Sequence, residues 1–245
     1  MNGRGVDSEG REFKNAEEMW REEVGDGDPL KKSQWYTQGV GYWQGVEATV
    51  DGVLGGYAHV NEPDIKDSEA FLNSVLAERF PDAGRGRRLV ALDCGSGIGR
   101  ITKNLLIRYF NEVDLLEPVS HFLDTARRNL APENLMVTEE YKAVNFFCVP
   151  LQEFSPEAER YDIIWVQWCI GHVSDDDFVS FFKRAKAGLK PGGLFVLKEN
   201  IARNGSKWIP DELFAVKMYA LTTELPKRVN SSRSKKHVNR PAIIK

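Results

Sequence analysis

The sequence has no run approaching the ~20 apolar residues of a membrane span. Its first stretch, MNGRGVDSEGREFKNAEEMW, lacks the apolar segment of a secretory signal. Cysteine is scarce: Cys94, Cys148 and Cys169 form an odd set of three with no C-x-x-C pair. That excludes a disulfide framework or a thiolate metal cluster and predicts three reduced, buried thiols. Positive charge is not in excess, since the net charge is −3, which argues against nucleic acid as the main partner. The expected compartment is cytosol or nucleus. The charge is uneven, however. Lys227 to Lys245 carries seven Lys/Arg and no acid, leaving 26 basic against 36 acidic residues before it. This tail, 227–245, reads as disordered.

The remainder is ordinary for a globular protein: 245 residues, 42% apolar and 28% charged, enough for one domain with extra segments. Residues 1–87 read as an N-terminal helical or lid extension. Within it, Phe13–Glu23 looks helical, the Gly- and Asp-rich stretch 24–42 reads as a loop, and Gly55-Gly56 interrupts any helix. Asp67/Ser68 are placed to cap a helix with Phe71, Leu72, Val75, Leu76 and Phe80 on one face. Residues 88–226 then alternate strands and helices. The strands are centred on Leu89–Asp93, Val113–Glu117, Val144–Cys148, Tyr161–Val166 and Gly193–Lys198. Helices carry Ile98/Ile101/Leu105 and Phe122/Leu123/Ala126/Leu130, and a third spans about Asp176–Leu189. The series predicts an α/β fold with a doubly wound, mostly parallel, Rossmann-like sheet.

The most informative motif is Asp93-Cys-Gly-Ser-Gly-Ile-Gly99, a glycine turn between a strand and a helix. Glycines let a ligand approach the backbone, and a helix start offers free N–H groups. Glu117 ends the next strand, at about the distance where nucleotide folds keep a ribose-binding acid. Plainer readings stand beside these: a tight turn, a solvated strand end, and for Lys190-Pro-Gly-Gly193 a simple turn.

These residues resemble the class I S-adenosylmethionine-dependent methyltransferases. Asp93-x-Gly-x-Gly-x-Gly99 is similar to their first motif, Asp162-Ile-Ile-Trp-Val166 to their fourth strand, and Leu189-Lys-Pro-Gly-Gly-Leu-Phe-Val196 to the turn into their fifth. More narrowly, Tyr42-Trp43, Thr49-Val-Asp-Gly-Val-Leu-Gly-Gly-Tyr57, Leu92–Lys103, Val166-Gln-Trp-Cys-Ile-Gly-His172 and Lys198-Glu-Asn200 resemble the α-N-terminal protein methyltransferases. The resemblance implies S-adenosylmethionine as donor, S-adenosylhomocysteine as product, and protein N-termini beginning Xaa-Pro-Lys or Xaa-Pro-Arg as substrates. No nucleic acid, membrane or metal enters this reading.

The resemblance also implies roles. Gly95 lets the methionine portion pass the backbone, and Arg100 pairs with its carboxylate. Glu117, followed by Pro118 and Val119, takes the ribose. Leu151 and Gln152 flank the adenine, and Gln167 lies beside the methionine part. Asn200 orients the substrate amine and His172 stands near it as a base. Trp43 and Trp168 wall the groove, with Trp168 against the proline, and Leu54-Gly55 forms a lid. Arg100 as an exposed helix arginine, Trp168 as core, His172 as a loop residue and Asn200 as a turn former remain open. Asp175-Asp-Asp177 reads first as a helix N-terminal acid run, with a substrate Lys/Arg attractor as the rival.

One departure from the family pattern is visible. Between Asn200 and Pro210 stand nine residues, too few for a helix plus a strand, which together need roughly 15–20. Yet Glu212–Leu221 is similar to the family's last strand. The sheet is expected to be incomplete there, with a block that carries substrate-binding acids missing. A non-catalytic truncated paralogue or splice variant and a small-molecule methyltransferase are the alternatives that share the cofactor site. A nucleotide-linked oxidoreductase fits less well, because the spacing is G-x-G-x-G rather than G-x-G-x-x-G.

Overall fold

The computed structural model describes residues 5–6, 11–25, 27–83, 85–135, 138–202 and 214–222. The basic tail 227–245 lies outside the described residues. Short strands β1 (Gly5–Val6) and β2 (Glu12–Phe13) pair antiparallel ahead of helix α1 (Ala16–Val24), which Asn15 caps by accepting from the Glu18 N–H. The stretch read as a loop is instead helix α2 (Pro29–Gln44). Asp28 accepts from the Leu30 and Lys31 N–H groups and Pro29 opens the first turn, a start signal strong enough to outweigh Gly39 and Gly41. A one-turn helix α3 (Val50–Val53) follows and ends before Gly55 and Gly56, which take φ of +62° and +89°.

Helix α4 spans Asn61–Arg79, so Asp67 and Ser68 lie inside it rather than capping it. Its inner face carries Asp64 and Ser68 together with Leu72, Val75 and Leu76. Six strands form the main sheet in the order β5-β4-β3-β6-β7-β8. They are β3 (Val90–Cys94), β4 (Glu112–Leu116), β5 (Lys142–Phe147), β6 (Tyr161–Gln167), β7 (Leu189–Ala202) and β8 (Phe214–Thr222). The first five run parallel, and β8 closes antiparallel against β7, from Leu194↔Thr222 to Ala202↔Phe214. Among the described residues β8 has no partner on its outer side. The strand resembling the family's last one thus sits directly on β7.

Alternation along each strand splits the core between two faces. Ala91, Val113, Leu115, Ile163, Trp165 and Val196 face α4, α5 (Arg100–Asn104) and α6 (Ser120–Asn129). Leu92, Leu116, Ile164, Val166, Phe195 and Leu197 face α7 (Asp175–Ala187) through Phe181 and Ala185. Helices cover both faces, as a doubly wound sheet requires. One thiol departs from expectation: Cys94 and Cys169 are buried, but Cys148 is exposed one residue past the end of β5.

Candidate active site

The strand order reverses between β3 and β6, and a cavity of about 780 Å³ opens there at the carboxyl ends of the strands. Its walls run from the glycine turn after β3, through Glu117 and Pro118 after β4 and Leu151 and Gln152, to Gln167, Trp168 and His172 after β6. The N-terminal extension closes the far side with Trp20, Trp35, Trp43, Val53 and Leu54.

The glycine turn is dictated by space. Gly95 has φ of +64°, and a Cβ there would fall 2.4 Å from the Cys169 Cβ. Gly97 has φ of +53°, and its N–H donates to Glu117 Oε2 at 2.9 Å. Glu117 Oε1 accepts from the Val119 N–H at 3.0 Å. Burial pushes the Glu117 carboxyl up to about 7, with these two N–H bonds pulling the other way. Asp93 is pushed up to about 6 by burial, opposed first by the hydrogen bond from Thr102 Oγ1 (2.6 Å). The helix opened by the turn has only five residues, so its dipole offers little and the positive charge at this end comes from Arg100.

Arg100 is buried and lines the cavity. Its Nη1 donates to Asp64 Oδ2 (2.7 Å) and Asn61 Oδ1 (3.1 Å). Gln167 Nε2 donates to the same Asp64 carboxylate at 2.9 and 3.0 Å, while Trp165 Nε1 donates to Gln167 Oε1 at 2.9 Å. Lys198, in the middle of β7, also donates to Asp64 and, at 2.8 Å, to Ser68 Oγ.

The aromatic side of the cavity is held by backbone anchors. Trp168 has φ of +53°, an uncommon conformation for a residue with a side chain. Its N–H donates to the Lys198 carbonyl at 3.0 Å. Glu199 Oε1 accepts from the Cys169 and Ile170 N–H groups at 3.0 and 3.1 Å, fixing the short helical turn that carries His172. The His172 ring meets Trp43 edge-on with centroids 5.6 Å apart, and burial lowers its pKa. Across the mouth, Tyr36 Oη donates to Asp177 Oδ2 (2.6 Å) and Lys32 pairs with the same carboxylate (2.7 Å), tying α2 to α7. Asp177 therefore belongs to that tie.

Of the residues singled out in the sequence, Gly95, Arg100, Glu117, Pro118, Leu151, Gln152, Gln167, Trp43, Leu54, Trp168 and His172 share the one cavity wall. Three do not reach it. Val119 packs with Ile98 and Phe122, Gly55 is exposed on the turn after α3, and Asn200 is half-buried near the end of β7. Sequence reasoning missed Asp64, Ser96, Tyr36, Trp20, Trp35 and Glu199. Lys198 carried the one usable signal for the polar cluster, a lysine following the apolar run Leu194-Phe-Val-Leu197, which demands a buried partner.

The donor set fits S-adenosylmethionine. Among the described residues, two buried polar atoms have no partner, Ser96 Oγ and Trp168 Nε1, and both belong to the cavity wall. A buried polar atom left unpaired costs about 1–3 kcal/mol, so this part of the wall carries unmet hydrogen-bonding capacity. Each Glu117 oxygen keeps a lone pair for a ribose hydroxyl, the planar Arg100 group suits a carboxylate, and Leu151 and Pro118 offer apolar surface to a base.

Comparison with known proteins shows the family to which the chain belongs. The chain is 59% identical to Alpha N-terminal protein methyltransferase 1 of Arabidopsis thaliana, across 98% of this chain and 99% of that protein. That alignment spans 275 positions against 245 residues here, so this chain lacks residues that its relative has. It is 46% identical to the N-terminal Xaa-Pro-Lys N-methyltransferase 1 of Danio rerio, across 74% of this chain and 77% of that one. A solved SAM-dependent methyltransferase of Leishmania major superposes with a TM-score of 0.75 at 33% identity, across 91% of this chain and 97% of that one. The family described as AdoMet-dependent proline di-methyltransferases matches residues 31–209, and the chain belongs to that family.

Proposed function

We propose that this chain methylates the α-amino group of protein N-termini beginning Xaa-Pro-Lys or Xaa-Pro-Arg. The supporting observation is the continuity of one cavity, from Glu117 and Arg100 at its polar end to Trp168, His172 and Trp43 at its aromatic end. S-adenosylmethionine, when bound, supplies an electrophilic methyl group on a sulfonium. Glu117 holds the ribose, Arg100 the carboxylate, and Leu151 and Gln152 the base. Trp168 and Trp43 exclude water from a slot suited to a proline ring. An α-amine has a reference pKa of about 7.7–8.0 against about 10.4 for lysine, so near neutrality it exposes a lone pair far more often. His172, kept neutral by burial, is the group that accepts its proton. Asn200 stands outside the cavity wall, two residues beyond Lys198 on β7, and its assignment to orient the amine rests on the family resemblance alone.

The same proposal divides the chain into a lid-bearing extension (1–87), a cofactor-binding domain (88–226) and a basic tail (227–245), acting on cytoplasmic or nuclear proteins. The short segment between β7 and β8 supports a second element: peptide affinity and turnover fall below those of relatives that keep the block, while cofactor binding suffers less. Calorimetric titration with S-adenosylmethionine, paired with mass spectrometry of a Ser-Pro-Lys peptide, tests both parts. Cofactor binding with slow α-N-methylation supports the proposal. Full turnover equal to a complete relative removes the second element, and methylation of metabolites but never of the peptide removes the first.

A further inference from the structure

Three ionised side chains meet beneath the methionine end of the cavity. Arg100, Lys198 and Asp64 have side-chain exposures of 7%, 3% and 4%. Asp64 comes from α4, Arg100 from α5 and Lys198 from β7. Arg100 takes one Asp64 oxygen and Lys198 the other, so two cations share one carboxylate. Ser68 Oγ and the Asp64 carbonyl take the other Lys198 hydrogen bonds, and the Trp168 ring centre lies 5.7 Å from Lys198 Nζ and 5.5 Å from the Arg100 guanidinium carbon; all three are neutral. Asp93 acts on Arg100 only at longer range, its hydrogen bond going to Thr102. Arg100 reaches the cavity wall; Asp64 and Lys198 do not.

Buried charge needs compensation. A one-to-one pair with Asp64 would spend the Arg100 charge inside the protein. Lys198 prevents this by claiming half of the carboxylate. We propose that Lys198 is a positioning residue for cofactor recognition: by sharing Asp64 it leaves Arg100 with unspent positive charge, and so makes the site select adenosyl ligands that carry a carboxylate. The proposal rests on Arg100 facing that carboxylate.

The test uses the full chain and two probes, S-adenosylhomocysteine and its decarboxylated analogue, S-adenosyl-3-thiopropylamine, which lacks only the carboxylate. Calorimetry gives the ratio of their dissociation constants. Wild type prefers S-adenosylhomocysteine at least tenfold. Lys198→Met and Lys198→Gln, the second keeping a hydrogen-bond donor to Asp64, both reduce that preference at least fivefold, chiefly by weakening the carboxylate-bearing ligand. Asp64 keeps Arg100 and Gln167 as partners in both, so both are expected to fold, which a thermal melt checks. Retention of the wild-type ratio in either folded variant overturns the proposal, as does failure of both to fold, which would give Lys198 a purely structural task. A wild-type ratio near one defeats the Arg100 assignment itself.

Discussion

Glu117 offers the sharpest quantitative test. Its carboxyl is pushed from an ordinary 4.5 up to about 7 because burial penalises the charge more than the Gly97 and Val119 N–H groups repay it. A carboxyl whose folded value lies above its unfolded value takes up a proton on folding. Stability from this group is therefore lost as pH rises through the window from about 4.5 to 7. With those values the penalty is roughly 1.4 kcal/mol at pH 5.5 and roughly 3.4 kcal/mol at pH 8, a difference of about 2 kcal/mol. Denaturant unfolding of wild type and Glu117→Gln at both pH values isolates it, since the amide does not titrate. The wild-type advantage should shrink, or its deficit grow, by about 2 kcal/mol on going from pH 5.5 to pH 8. Cofactor affinity should move oppositely, because ribose hydroxyls donate to the ionised carboxylate. The ionised fraction rises about thirtyfold over that interval, which bounds the tightening. In Glu117→Gln both trends should vanish. Parallel stability curves for the two proteins would refute the buried, ligand-seeking carboxylate.

Other expectations follow from the same geometry. His172→Gln should lower kcat on a Ser-Pro-Lys peptide on the order of a hundredfold while leaving S-adenosylhomocysteine affinity unchanged. In wild type the rate should fall with acidity as the neutral ring is protonated below its ordinary range. Trp168→Ala should raise the peptide KM with little loss of cofactor affinity, since the indole forms the slot wall; an unchanged KM would return Trp168 to the core. Asp28→Ala should cost about 1 kcal/mol in a denaturant melt by removing the cap of α2. An unaltered melt would show that α2 does not depend on its cap.

The strands and the glycine turn were legible because alternation and punctuation act locally. Leu89–Asp93 and the observed β3 differ by one residue, and Gly95 and Gly97 adopt the positive φ that their spacing implied. Helix α2 was hidden because it buries no residue fully and carries two glycines, so it shows no apolar face to the eye. The start of α4 was hidden for a different reason. Asp64 and Ser68 occupy its inner face, and their partners, Arg100, Gln167 and Lys198, lie tens of residues away in sequence. Polar burial of this kind is a tertiary property, which periodicity cannot register. The same holds for Glu199, whose carboxylate shapes the Trp168–His172 turn from a neighbouring strand.

The central claim is transfer of a methyl group to an N-terminal amine. Mass spectrometry of a Ser-Pro-Lys peptide, incubated with the chain and S-adenosylmethionine and fragmented to locate the modification, addresses it most directly. Methyl groups are expected on the α-nitrogen alone, and none on a matched peptide with alanine in place of proline. An unmodified Ser-Pro-Lys peptide, or methylation of the lysine side chain, from a chain that binds the cofactor would contradict it.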